Sequence, residues 1–246
     1  DLGTGRTATA IAAGGSHSCA ILDNAAVKCW GRNDRGQLGL GDQASRGNGA
    51  NEMGDNLNAV DLGTGRTAVS ITAGFLHTCA LLDDYSVKCW GDASLGQMGT
   101  GKTFNLGDAA GEMGDSLTAI DLGTSRTATA IAASLATCAV LDNSSIKCWG
   151  ANALGQLGLG DTTTRGNTVQ GDGSSQMGDN LPSIDLGTGR TARGVITGDY
   201  HTCTIMDNSS IKCWGYNASG QLGIGDTDSR GDGANEMGDN LPSISF

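Results

Sequence analysis

The strongest constraint on this chain is that it repeats itself. The segment Asp1-Leu-Gly-Thr-Gly-Arg-Thr-Ala returns at Asp61, at Asp121 (with Ser125 in place of glycine) and at Asp185. These returns divide residues 1–246 into repeats 1–60, 61–120, 121–184 and 185–246 of a single repeat domain. Self-similarity at such a period marks stacked supersecondary units, each burying its apolar face against its neighbours.

The order of features inside each copy is fixed. A short apolar run such as Ala10-Ile11-Ala12-Ala13 comes first, followed by Cys19-Ala-Ile-Leu-Asp-Asn24, Val27-Lys-Cys-Trp-Gly31 and Gly36-Gln-Leu-Gly39. A long polar stretch then closes on Met53-Gly-Asp-Asn-Leu57. The apolar runs are too short for helices and rich in β-branched residues, which predicts strands. In the second copy four are expected, around 59–62, 69–73, 78–82 and 87–90, the last two joined through an Asp-Asp-Tyr-Ser turn. Glycine at 41 of 246 residues with only two prolines fits many tight turns between short strands. The pattern predicts an all-β fold of four-stranded units, as propeller blades or solenoid rungs. Residues 92–118 offer no strand, and Met53/Leu57, Met113/Leu117, Met177/Leu181 and Met237/Leu241 read as apolar pegs that pin such loops.

Two cysteines occur per copy, always ten positions apart: Cys19/Cys29, Cys79/Cys89, Cys138/Cys148 and Cys203/Cys213. Both members sit equidistant from the hairpin turn, and facing residues of a non-hydrogen-bonded antiparallel pair lie about 4.5 Å apart at Cα. Four intra-hairpin disulfides are the first reading, adding about 2–3 kcal/mol each. Reduced core thiols are the second. Zinc is the third and weakest, because no further Cys or nearby His completes a ligand set in every copy. The disulfide reading places the protein outside the cell, as a secreted chain or an excerpt of a longer one. Asn143-Ser-Ser, Asn208-Ser-Ser and Asn217-Ala-Ser match the N-glycosylation acceptor pattern, the first two at hairpin tips.

Charge narrows the partners. With 15 basic and 26 acidic residues the chain carries a net charge of −11, which repels phosphate backbones and argues against nucleic acid. No apolar run approaches the roughly 18 residues that a membrane helix requires. His17, His77 and His201 occupy equivalent positions about one repeat apart, and the third copy loses its histidine at Ala136, so a structural role is expected and no catalytic group stands out. Asp226, Asp228 and Asp232, with the related Asp42 and Asp161 loops, supply oxygens of the kind Ca²⁺ takes. Arg46, Arg165 and Arg230 lie among these acids, and internal ion pairs account for them as well. Arg230-Gly-Asp232 also matches a three-residue adhesion motif.

The strings His17-Ser-Cys-Ala-Ile-Leu-Asp-Asn, Val27-Lys-Cys-Trp-Gly-Arg-Asn and Gly36-Gln-Leu-Gly-Leu-Gly-Asp resemble the repeat of the regulator-of-chromosome-condensation family. The likeness recurs at 77–101 and 201–226 and extends over about the whole chain. It implies a β-propeller with one four-stranded blade per repeat, usually seven blades, that binds proteins through loops on its faces. Members act as exchange factors for a small GTPase, chromatin binders, scaffolds and secreted enzyme inhibitors. This chain has four repeats, is acidic, and its regular cysteine pairs resemble the secreted arrays of the family.

The termini offer one more clue. Leu181-Pro-Ser-Ile-Asp-Leu spans a repeat junction, while the chain ends in Leu241-Pro-Ser-Ile-Ser-Phe246 and begins with Asp1-Leu-Gly. The ends therefore read as complementary halves of one strand, which close a four-bladed ring, add to the next subunit, or belong to a longer, open array. The expectation is an extracellular structural or protein-binding module without catalysis, with copies of itself joining head-to-tail as a filament or surface-layer subunit among its candidate partners. The alternative is a regulator of exchange-factor or enzyme-inhibitor type that binds one partner.

Overall fold

The computed structural model describes residues 1–167 and 176–245. Each copy folds into one blade, a three-stranded antiparallel sheet. Blade 1 holds β1 (Ala8–Ala13), β2 (His17–Leu22) and β3 (Val27–Gly31), and blade 2 holds β4 (Ala68–Ala73), β5 (His77–Leu82) and β6 (Val87–Gly91). Blade 3 holds β7 (Ala128–Ala133), β8 (Ala136–Leu141) and β9 (Ile146–Gly150), and blade 4 holds β10 (Ala192–Thr197), β11 (His201–Met206) and β12 (Ile211–Gly215). Every first strand carries a bulge near its start, as between Ala8 and Ala10, which bends the strand and increases its twist. Successive blades stack through their first strands, with β4 on β1 and β2, β7 on β4 and β5, and β10 on β7 and β8. Among the described residues no backbone hydrogen bond joins blade 4 to blade 1.

The hairpins form as the alternation predicts, pairing Ile21 with Val27, Cys19 with Cys29 and His17 with Gly31. Leu22 C=O accepts from Ala25 N–H at 2.9 Å, and Ala25 takes φ of 61°, the left-handed residue that follows a tight turn and opens into a strand. Tyr85, Ser144 and Ser209 repeat this conformation without the freedom glycine would bring.

The fourth strand is a correction. Residues 59–62 contribute one ladder bond, Val60 N–H to Val27 C=O at 2.8 Å, repeated by Ile120 to Val87, Ile184 to Ile146 and Ile244 to Ile211. One residue later the chain has left that edge, because Asp61 C=O already accepts from Gly114 N–H of the second repeat. The other end of the same edge is covered by an isolated bridge, Gly31 to Arg46. One single-residue bridge and one backbone hydrogen bond thus occupy the edge where a continuous strand was expected.

At the termini Ile244 N–H donates to Ile211 C=O at 2.9 Å and Asp1 C=O accepts from Gly54 N–H at 3.1 Å, the same two bonds that each internal junction divides between the blade before it and the blade after it. Phe246 lies outside the described residues.

The core is built from small and aliphatic side chains. Ile21, Leu38, Leu82 and Leu141 are buried, and Trp90, Trp149 and Trp214 supply its largest buried side chains. Leu57, Leu117, Leu181 and Leu241 are buried beneath the long loops, each just after a one-turn 3-10 helix such as Gly54–Asn56.

Candidate functional site

The cysteines are joined in the expected pairs, Cys19–Cys29, Cys79–Cys89, Cys138–Cys148 and Cys203–Cys213, each with Cα atoms 4.1 Å apart. Each bond ties the second strand of a blade to the third at its middle pair. Asn143 and Asn208 stand exposed at hairpin tips, each accepting from the backbone N–H two residues on at 3.1 Å. Asn217 departs from the sequence expectation because it is fully buried. Its Nδ2 donates to Asp226 and Asp228 carbonyls at 3.0 Å and its Oδ1 accepts from Leu222 N–H at 3.0 Å, so the nitrogen a glycan needs is consumed. Asn33 and Asn152 hold the same loop in blades 1 and 3.

The acidic loops are likewise consumed by protein donors. Asp226 Oδ2 accepts from Arg230 at 2.7 Å and Oδ1 accepts from Asp228 N–H at 3.0 Å, as Asp42 does with Arg46 and Asp161 with Arg165. Asp232 faces Glu236, and desolvation followed by that neighbour raises its carboxyl above the ordinary range. Among the described residues no three His, Cys, Asp or Glu side chains converge as a metal site. Arg230 is tied to Asp226, so the Arg-Gly-Asp string does not present two free charges.

The polar groups cluster instead at the seams between blades. The Gln37 carbonyl accepts from Thr78 Oγ1 at 2.8 Å and from the Trp90 indole at 3.1 Å, both on the next blade. Gln97 does the same for Thr137 and Trp149, and Gln156 for Thr202 and Trp214. A third bond runs the other way, from Gly41, Gly101 and Gly160 N–H to Gly107, Gly166 and Gly231 carbonyls at 3.0 Å. The indole lies so close that a Cβ on Gly39 would come within 2.7 Å of Trp90 Nε1, which requires glycine there. The Gly-Gln-Leu-Gly string is therefore the socket for the following Trp.

Two histidines complete the seams. His17 Nε2 lies 2.8 Å from Thr78 Oγ1, and His77 Nε2 lies 2.8 Å from Thr137 Oγ1. Each threonine gives its proton to a Gln carbonyl, so it accepts from the imidazole, fixing the Nε2–H tautomer. Nδ1 of both rings is buried without a partner. Burial pushes His17 down to about 4, and burial together with the nearby His17 pushes His77 down to about 3. These are neutral structural donors, as the sequence reading expects.

A lysine clip was not anticipated. Lys28 Nζ donates to Leu2 and Gly54 carbonyls at 3.0 and 2.7 Å, and Lys88, Lys147 and Lys212 repeat the arrangement. The clip fastens the incoming chain to the 3-10 turn of the same blade. Desolvation lowers Lys147 and Lys212, against the pull of Asp179 and Asp239 respectively. The signal in the sequence is a lysine recurring inside an otherwise apolar strand, where an unused charge would be costly.

The two ends of the blades differ. One end holds the hairpin tips, with Tyr85, Asn143, Asn208 and exposed pairs such as Arg6 with Asp23. The other end, the loop face, holds the turns between first and second strands and the loops leaving the third. Phe75, Leu95 and Tyr200 are exposed there, and Tyr200 meets Tyr216 edge-on at 6.3 Å between centroids. At the same end a cavity of about 420 Å³ is rimmed by Gly14, Gly74, Ser134 and Gly198, one from each repeat, with Ser134 Oγ donating to the Asp199 carboxylate.

Comparison with known proteins agrees with this architecture. The family model described as regulator of chromosome condensation (RCC1) repeat matches residues 8–37, 68–97 and 197–221. The ultraviolet-B receptor UVR8 of Arabidopsis thaliana is 30% identical over 224 residues, covering 89% of this chain and 44% of the receptor. The probable E3 ubiquitin-protein ligase HERC6 of Homo sapiens is 29% identical over 219 residues, covering 88% of this chain and 19% of the ligase. The chain thus spans less than half the length of these curated relatives. Among solved structures, yeast RCC1 (Prp20) bound to Kap60 superposes with a TM-score of 0.63 at 18% identity, over 96% of this chain and 49% of that one. Human WBSCR16 superposes with a TM-score of 0.55 at 16% identity, over 98% of this chain and 68% of that one. With Trp-Gly strings, Gly-Gln-Leu-Gly sockets and blade stacking all in agreement, the chain belongs to the RCC1-type β-propeller repeat family.

Proposed function

We propose that this chain is a non-catalytic protein-binding module that regulates one partner, which it engages through the loop face. The observation that carries this reading is the set of exposed apolar side chains Phe75, Leu95 and Tyr200 at the end of the blades where the shared cavity opens. Aromatic anchors around a concave centre are what protein interfaces use, and turns on a rigid scaffold are where binding residues collect. The relatives lend support, since one is a receptor and another was crystallised bound to Kap60. A net charge of −11 favours a partner with a basic surface. No cofactor is needed for this activity.

Four disulfides favour an oxidising compartment, so the proposed location is outside the cell, with Asn143 and Asn208 as the acceptors open to glycosylation.

Affinity capture from the source's secreted fraction tests the binding reading. A stoichiometric partner should be retained by the wild type and by Tyr85→Ser at the hairpin tips, and lost by a Phe75→Ser/Tyr200→Ser double variant. Equal capture by both variants would reject the loop face.

A further inference from the structure

Two turns of the loop face rest on a histidine ring. In blade 1 the turn between β1 and β2 is closed by Gly14 N–H to the His17 carbonyl at 2.9 Å, and in blade 2 by Gly74 N–H to the His77 carbonyl at 2.8 Å. Each imidazole fills the space beside its turn, since a Cβ on Gly14 or Gly74 would come within 3.0 Å of both Cε1 and Nδ1 of that ring. Nδ1 is thus pressed against a glycine and finds no hydrogen-bond partner. The turns are also tied to one another. Gly15 N–H donates to the Gly74 carbonyl at 3.2 Å and Phe75 N–H to the Ser134 carbonyl at 3.0 Å, so a backbone ladder joins the turns of blades 1, 2 and 3. It crosses the two seams that hold the His17–Thr78 and His77–Thr137 bonds. The shorter turn of blade 3 reaches blade 4 through Ser134 Oγ and the Asp199 carboxylate instead. Phe75, 47% exposed on the loop face, belongs to this ladder.

The surroundings of the two rings supply no counter-charge. Among the described residues no carboxylate bonds to either imidazole, whose neighbours across the seam are the Thr78 and Thr137 hydroxyls and, behind them, the Gln37 and Gln97 carbonyls. Arg32 follows Gly31, the β3 partner of His17, and is paired with Asp34. Asp92 follows Gly91, the β6 partner of His77, and accepts from Ser94 and Gln97. Asp199 accepts from Ser134. The charge that would act on His77 is that of His17, and it repels.

We propose that acid opens the turns between the first and second strands of blades 1 and 2, and that the loop face is thereby taken apart around Phe75. A proton on Nδ1 places an N–H against a glycine with no acceptor, and a cation in a buried site with no partner. The ring then leaves the seam, gives up its threonine, and draws its turn off the neighbouring carbonyl. The two rings act together, because they repel once charged and because Gly15 is bonded to the turn that His77 supports. An imidazole freed into water takes its proton near the ordinary 6.5, whereas the closed turn holds it lower, so the turns stay closed above that pH and open as pH falls below it. A partner seated on Phe75 leaves over the same range. That release rests on the loop-face reading above, whereas the opening of the turns does not.

Site-resolved amide exchange of the full chain at about pH 7 and about pH 5, corrected for the intrinsic pH dependence of exchange, tests the proposal. Protection of the Gly15 and Phe75 N–H groups should fall about tenfold or more at the lower pH. Gly160 N–H, in the seam without a buried histidine, and Leu141 N–H, at a hairpin tip, should keep theirs. His17→Gln/His77→Gln retains a donor for each threonine without a titrating ring, and should hold both turns closed at either pH. Should that variant not fold, the wild-type imidazole resonances decide, since both rings must pass from the Nε2–H tautomer to the charged form as the turns open. Turns that keep their protection, a loss shared equally by all four blades, rings that stay neutral while the turns open, or a folded glutamine variant that opens like the wild type would each overturn the proposal. A partner captured at neutral pH should leave the wild type at about pH 5 and stay on the glutamine variant. One that stays on the wild type with both turns open would overturn the link to the loop face. Capture of no partner at neutral pH rejects the loop-face reading alone, and the exchange result still decides whether the turns open.

Discussion

Blades 2 and 3 are packed on both sides, whereas blades 1 and 4 have one side uncovered, and the repeat sequence is nearly the same in all four. Val-Lys-Cys-Trp-Gly buries its tryptophan completely at Trp90 and leaves it half-buried at Trp30. The second-strand apolar position is buried at Leu81 and Val140 and exposed at Ile205. Much of what the repeat encodes is therefore an instruction to a neighbour. Stability in such an array is the sum of blade terms and seam terms, and the end blades forgo one seam each.

The largest expected effect breaks this comparison if it fails. Trp149→Ala removes a buried indole and its bond to Gln97, and should cost about 3–5 kcal/mol in denaturant unfolding. Trp30→Ala at the uncovered end should cost well under half as much in the monomer. Equal losses would mean that the seams contribute little.

Next come the disulfides. Replacing Cys138 and Cys148 by serine should destabilise by about 2–3 kcal/mol, and the Cys19/Cys29 replacement by a similar amount, because the bridge acts within a hairpin and not across a seam. A much larger cost in blade 3 than in blade 1 would show that the bridges also brace the seams.

Acid separates the seams from one another. The folded-state values of His17 and His77 lie below the ordinary 6.5, so below that pH the unfolded chain binds more protons than the folded one. The stabilisation from the neutral rings is full above pH 6.5 and is lost as pH falls toward about 4 for His17 and about 3 for His77. At about pH 5 the loss should be on the order of 1–2 kcal/mol per histidine. The seam between blades 3 and 4 has Ala136 at that position and escapes this term. A His17→Gln/His77→Gln variant should show a flatter pH profile of unfolding, and an unchanged slope would contradict the assignment.

How much of this was legible in the sequence depends on whether a contact stays inside one copy. The hairpin, its turn and the cysteine pairing are local, and spacing alone placed Cys19 opposite Cys29. The buried Leu57 series was legible as well, because its apolar recurrence stands out in a polar stretch. The expected fourth strand does not form: Ala59-Val60-Asp61-Leu62 has the apolar content of a strand, yet the chain spends one residue on that edge before crossing. Asn217 matched a sequon, and only the folded loop shows its amide bonded to Asp226 and Asp228. The seams could not be read in advance, since Thr78 and Gln37 are brought together across a repeat boundary.

The smallest effect concerns the hairpin tips. Ala25 holds a left-handed φ of 61° that glycine adopts without cost, so Ala25→Gly should stabilise by about 0.5–1 kcal/mol in thermal or denaturant unfolding. The same change should help blades 1 and 2 alike through Ala25 and Tyr85, because the turn does not sense its seam.

Amide hydrogen exchange of the monomer at high dilution tests the central claim most directly, because it reads each blade separately. The account predicts slowest exchange in β5, β6, β8 and β9, with β1 and β10 to β12 exchanging faster. Uniform protection across all four blades in the monomer, or end strands slower than the interior ones, would contradict it.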